Sequence, residues 1–136
     1  MKKYIILSMF MVVGMLSTTM AQTSTLLPLA AGDTIANTGT VNKQFTTTAG
    51  YSAAGVQIYI TKISGTVAGT TKLQGSLNGT NWEDIGSAFT HTDVSSQAKL
   101  FTVTGGVPYT YLRTTSTGSG TMSAQVRVRY VLKKHD

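Results

Sequence analysis

An all-β fold, a single antiparallel β-sandwich or jelly-roll-like domain of about seven or eight strands, is predicted by three features of the sequence. Threonine dominates the chain after the first two dozen residues, and with Gly, Ser, Val and Tyr it makes a mixture that favours strands over helices. Turn signals at Gly39, Ala49-Gly50, Gly65, Gly69, Asn78-Gly79, Gly105-Gly106 and Gly118 to Gly120 recur at spacings of roughly ten residues. Between them apolar and polar side chains alternate with a period of two, and no segment carries a convincing helical period. That rhythm suits two packed antiparallel sheets.

Taken in order, residues 34–37 read as a short edge strand and residues 41–46 as the next. Val56, Ile58 and Ile60 then alternate with Gln57, Tyr59 and Thr61, which places the aliphatic set inside. Residues 70–77 form a further run, and Phe101 and Val103 stand opposite Leu100 and Thr102. Residues 109–115 put Thr110, Leu112 and Thr114 on one side and Tyr109, Tyr111 and Arg113 on the other. The clearest strand is 121–133, where Met122, Ala124, Val126, Val128, Tyr130 and Leu132 alternate with Ser123, Gln125, Arg127, Arg129, Val131 and Lys133. Residues 33–136 are thus the sandwich domain, and 22–32 an extended arm or linker.

Residues 1–21 have a different character. Lys2 and Lys3 precede an apolar run over 5–16, which ends at the small-residue site Thr19-Met20-Ala21, the order of a secretory signal peptide. A dozen apolar residues fall short of the ~20 that a helix needs to cross a bilayer, so an uncleaved N-terminal membrane anchor is the alternative reading. The domain is therefore expected outside the cytoplasm, whether periplasmic, cell-surface, extracellular or virion-associated. Membrane contact follows only if the segment is retained. With no cysteine in the chain, neither a disulfide framework nor a cysteine metal site stabilises it.

The formal net charge is +6, of which Lys2 and Lys3 belong to the leader. Arg127, Arg129, Lys133 and Lys134 gather near the end, with Arg113 in the preceding run. A nucleic-acid surface calls for denser cations with exposed aromatic rings between them, so a solvated sheet face is the preferred reading. Catalysis is equally poorly supplied. The two histidines are His91, read as a loop residue, and His135, and neither is flanked by a nucleophile motif. The five acids, Asp33, Glu83, Asp84, Asp93 and Asp136, would make a glycosidase pair only from loops around Trp82 and His91. Glu83, Asp84, His91 and Asp93 match no metal-ligand spacing, and turn solvation explains them. No enzyme, no metal and no cofactor are expected.

The best local motif is Ser76-Leu77-Asn78-Gly79-Thr80-Asn81-Trp82. Asn-Gly suits a tight hairpin because both residues tolerate positive φ, Ser76 and Asn78 can bond the turn's backbone, and Trp82 can fold over it. The motif resembles the Ser-x-Asp-Gly-x-x-Trp hairpin of phage virion proteins and of discoidin-type, sugar-binding jelly rolls. It is also similar to the Asp-box of sialidase propellers, but it is one residue short and present once, which discards a propeller. Gly32-Asp33-Thr34-Ile35, Gly39-Thr40-Val41, Ser64-Gly65-Thr66 and Gly118-Ser119-Gly120-Thr121 extend the likeness. Taken together they resemble the small all-β accessory proteins encoded among phage structural genes. The resemblance implies a decoration or fibre-like subunit that self-associates or docks on a larger assembly.

Trp82, Tyr109 and Tyr111 are the candidate ligand-binding residues, since aromatic faces beside polar groups hold sugars on exposed β-modules. The competing reading has Trp82 capping the hairpin and the tyrosines packing in the core. Two functions follow: a non-enzymatic exported structural or assembly protein, or a secreted carbohydrate-binding or adhesion module of a bacterial surface.

Overall fold

A computed structural model describes residues 25–26, 33–47 and 51–134 of the chain. The segment 1–21 expected to be a leader, most of the expected arm at 22–32, the expected turn at Ala49-Gly50, His135 and Asp136 lie outside the described residues. Among the described residues there are ten strand segments and no helix: β1 (Thr25–Leu26), β2 (Thr34–Ala36), β3 (Thr40–Thr46), β4 (Tyr51–Gly65), β5 (Gly69–Ser76), β6 (Glu83–Asp84), β7 (Phe89–His91), β8 (Ser96–Val103), β9 (Tyr111–Gly118) and β10 (Met122–Lys134). They make two antiparallel sheets. In sheet A, β10 lies between β4 and the pair β1 and β2, and β8 closes the far side of β4; in sheet B, β9 lies between β3 and β5, with β6 and β7 on the other side of β5.

This order has a simple logic. β2 pairs with β10, β3 with β9, β4 with β8, and β5 with β6 and β7, so the chain is one long nested hairpin, rolled up and closed by the contacts β10·β4 and β9·β5. Nested pairing across two sheets is the jelly roll. β1 with β2, and β6 with β7, each share one of its eight strand positions, which reconciles ten segments with the seven or eight expected.

The alternation does what its period dictates. On β10, Met122, Ala124, Val126 and Val128 are buried while Arg127 and Arg129 are exposed, and Val56, Ile58 and Ile60 face the same interior from β4. Leu112, Leu73, Val41 and Phe45 supply the opposing layer from sheet B. Phe45 stacks on Tyr130 across the gap, ring centroids 4.0 Å apart. Two irregularities shape the long β4·β10 ladder. Ile63 is an extra residue between Lys62 and Ser64 and is turned outward, 59% exposed, and Ser52 is another, its hydroxyl donating to the Lys133 and Lys134 carbonyls.

Two expectations are corrected. His91 lies on β7 rather than in a loop, and is buried, because β7 pairs with β5 at Gly69 to Thr71 and aims alternate side chains inward. Its flanks, Phe89-Thr90-His91, are too short for alternation to register in sequence. Tyr109 does not share an outer strand face with Tyr111 and Arg113. β9 begins at Tyr111, and Tyr109 turns in against the core beside Gly75.

Candidate functional site

The segment 77–82 joins β5 to β6 and is built as predicted from Ser76 and Asn78, though with a different turn. Ser76 Oγ accepts the N–H groups of Asn78 (3.3 Å) and Gly79 (2.9 Å), and Asn78 Oδ1 accepts those of Thr80 and Asn81, both at 2.9 Å. Only Gly79 of the pair takes a positive φ, 74°, so this is not the two-residue hairpin that Asn-Gly favours. Side-chain acceptors replace the missing ladder bonds and hold a six-residue loop.

That loop presents Trp82, half-buried, under the guanidinium of Arg113, whose Cζ is 4.1 Å from the ring centroid. Arg113 comes from the outer face of β9, opposite Gln74 of β5. Its Nε donates to Gln74 Oε1 (2.8 Å), which also accepts from the Thr115 hydroxyl (3.0 Å). Gln74 Nε2 in turn donates to Asp84 Oδ1 (2.7 Å), and Lys72 Nζ to Asp84 Oδ2 (2.6 Å). Lys72 and Gln74 hold the Asp84 carboxyl below its ordinary value, and partial burial lowers the Arg113 guanidinium. A continuous polar chain therefore runs across sheet B from Lys72 to Trp82.

The three aromatic candidates are not equivalent. Trp82 and Tyr109 line one cleft of about 360 Å³ together with Gly75, Asn78, Asn81 and Glu83. Tyr109 lies so close on Gly75 that a Cβ there would overlap its ring. Tyr111 stands on the other side of the loop, its ring 3.6 Å from where a Gly79 Cβ would be. One face of the indole is already covered by Arg113, and both tyrosines brace backbone glycines. The cleft thus offers one free aromatic edge with amides and a carboxylate, and no shared platform of three rings.

The acids and histidine stand apart. Asp93 accepts from Lys62 Nζ (2.8 Å) and the Val67 N–H (2.8 Å), which hold its carboxyl below its ordinary value. His91 Nε2 bonds Thr71 Oγ1 at 2.8 Å, and Thr71 bonds Ser116 Oγ at 2.7 Å, in a fully buried polar row. Asp33 forms an ion pair with Lys43 inside the sandwich. Among the described residues no group of three or more His, Cys, Asp or Glu side chains is placed to hold a metal ion. The Arg113 stack and the Gln74–Asp84 relay were missed in the sequence, because both depend on the β5·β9 and β5·β6 registers.

Against known proteins, the chain matches no protein-family model, and no curated protein is significantly similar to it. Its own geometry carries the functional argument.

Proposed function

We propose that this jelly roll is a non-enzymatic, exported structural or assembly subunit, akin to phage virion accessory proteins, that self-associates or docks on a larger particle. One observation carries the reading. β8 pairs with β4 alone among the described strands, so an eight-residue edge keeps one row of backbone donors and acceptors open, beside Leu100 at 53% exposure. Such an edge adds a strand from a partner and spreads the contact energy over many weak bonds. Lys99 at its middle is the kind of charge that limits uncontrolled pairing.

Size-exclusion chromatography with light scattering tests this: the purified protein is expected above monomer mass, and Thr102→Pro, which places a ring on the edge, is expected to shift it towards monomer. A strictly monomeric wild type would remove self-association, and a monomer that also binds one glycan class and loses it in a folded Trp82→Ala variant would overturn the proposal. Export is tested by mass spectrometry of protein from the native source, with Gln22 as the expected N-terminus; an intact Met1 would mean that the leader stays as an anchor.

The cleft between Trp82 and Tyr109 favours a second reading, a carbohydrate-binding or adhesion module. Jelly rolls serve both capsids and lectins, so the fold does not choose between them. Glycan-array binding that is lost in a folded Trp82→Ala variant would establish the second reading.

A further inference from the structure

The outer face of sheet A is chemically unlike the rest of the surface. Strand register sets Arg127 of β10 beside Tyr59 of β4 and Ala98 of β8, and Arg129 beside Gln57 and Leu100. The row on one side holds Gln125, Thr61 and Ser96, and Gly55 and Ala98 keep the face low. Tyr59, Thr61, Ser96, Arg127 and Arg129 enclose a shallow cleft of about 270 Å³. Both arginines are exposed, and Lys133 follows on the same side of β10. Every described carboxylate is elsewhere: Asp33 is paired inside, Glu83 and Asp84 lie on β6 of sheet B, and Asp93 is bonded to Lys62 and Val67. Positive charge on this face is therefore uncompensated.

We infer that this face binds an acidic polysaccharide, with Arg127 and Arg129 taking its carboxylates or sulfates. Two residues along a strand separate the guanidinium stems by about 7 Å, and each fork fits an oxyanion with two parallel bonds. The site is partly organised in advance. Arg127 Nε donates to Gln125 Oε1 (3.1 Å), and the Tyr59 hydroxyl donates to Gln57 Oε1 (2.7 Å), so the central side chains are oriented before a ligand arrives. Thr61, Ser96 and the amide N–H groups of Gln57 and Gln125 supply hydroxyl partners around the two cations. That mixture suits a sugar acid. A single-stranded nucleic acid would want successive aromatic platforms, and the central rows hold one ring, Tyr59. A lipid bilayer would engage several apolar side chains together, whereas the central rows of this face carry one strongly exposed one, Leu100, and Leu77, Ile63 and Val94 lie at the sheet B loop, the end of β4 and the loop before β8.

The test uses the purified protein with polygalacturonate as probe, beside a neutral glucan, a single-stranded oligonucleotide and phosphatidylglycerol vesicles. Polygalacturonate is expected to bind, the neutral glucan not, and added salt to weaken the complex. The Arg127→Gln/Arg129→Gln variant should lose about tenfold in affinity or more, whereas Lys99→Gln, which removes a charge outside the cleft, should change it less than about twofold. Amide chemical shifts of the wild type, titrated with a galacturonate oligomer, should move at Tyr59, Thr61, Ser96, Arg127 and Arg129, a readout that needs no variant. Equal losses in both variants, shifts elsewhere, absence of binding, or tighter binding to the oligonucleotide or the vesicles would each overturn the inference.

Discussion

His91 shows how a single side chain can report on the whole interior. Its imidazole is buried, bonded through Nε2 to Thr71, and its Nδ1 has no partner among the described residues. Burial holds it below the ordinary value of 6.5, so the folded domain refuses a proton that the unfolded chain accepts. Stability from this group is then complete above about pH 6.5 and declines as pH falls from there toward the lowered folded value. The thermal unfolding temperature should accordingly fall as pH drops below about 6.5, and His91→Gln should flatten that segment of the profile. Asp84 and Asp93, both lowered, act in a separate window: their contribution is present above the ordinary 3.8 and fades as pH falls through their folded values. A profile unchanged by His91→Gln would contradict this assignment. Gly75 gives a steric counterpart. A methyl group there meets the Tyr109 ring, so Gly75→Ala should cost about 1–3 kcal/mol, and less in a chain that also carries Tyr109→Ala.

At the scale of elements, β10 is the sharpest case. Alternation alone assigned its inner and outer faces, and the register against β4 bears this out, Val128 opposite Ile58 and Arg127 opposite Tyr59. Val128→Asp buries a charge and should cost several kcal/mol, while Arg127→Asp should change thermal stability little. Equal effects would mean a one-residue slip, which exchanges the faces. For the same reason β4 was legible over 56–61 and β8 over 100–103, where buried and outward side chains alternate, and the rest of each strand was not. β6 and β7, at two and three residues, were not, since no period fits in so short a run and their pairing with β5 alone defines them. The loop at 77–82 divides in the same way: Ser76 and Asn78 were read as turn acceptors, but the single positive φ at Gly79 emerged only once the distance between β5 and β6 was set.

For the whole molecule, composition and turn rhythm sufficed for a two-sheet antiparallel sandwich, because strand propensity and a period of two are local properties of the chain. The alternating cores of β4, β8 and β10, and the backbone-capping role of Ser76 and Asn78, belong to that local part. The jelly-roll order belongs to the tertiary structure. It rests on β2 meeting β10 and β3 meeting β9, partners remote along the chain whose pairing is chosen by how two apolar faces close on each other. The same closure turned His91 inward, drew Tyr109 onto Gly75 and placed Arg113 over Trp82, and the β4·β10 register set Tyr59 beside Arg127 in one cleft with Arg129. Which side of a strand a residue faces is written in its neighbours, whereas what it faces depends on a strand dozens of residues away.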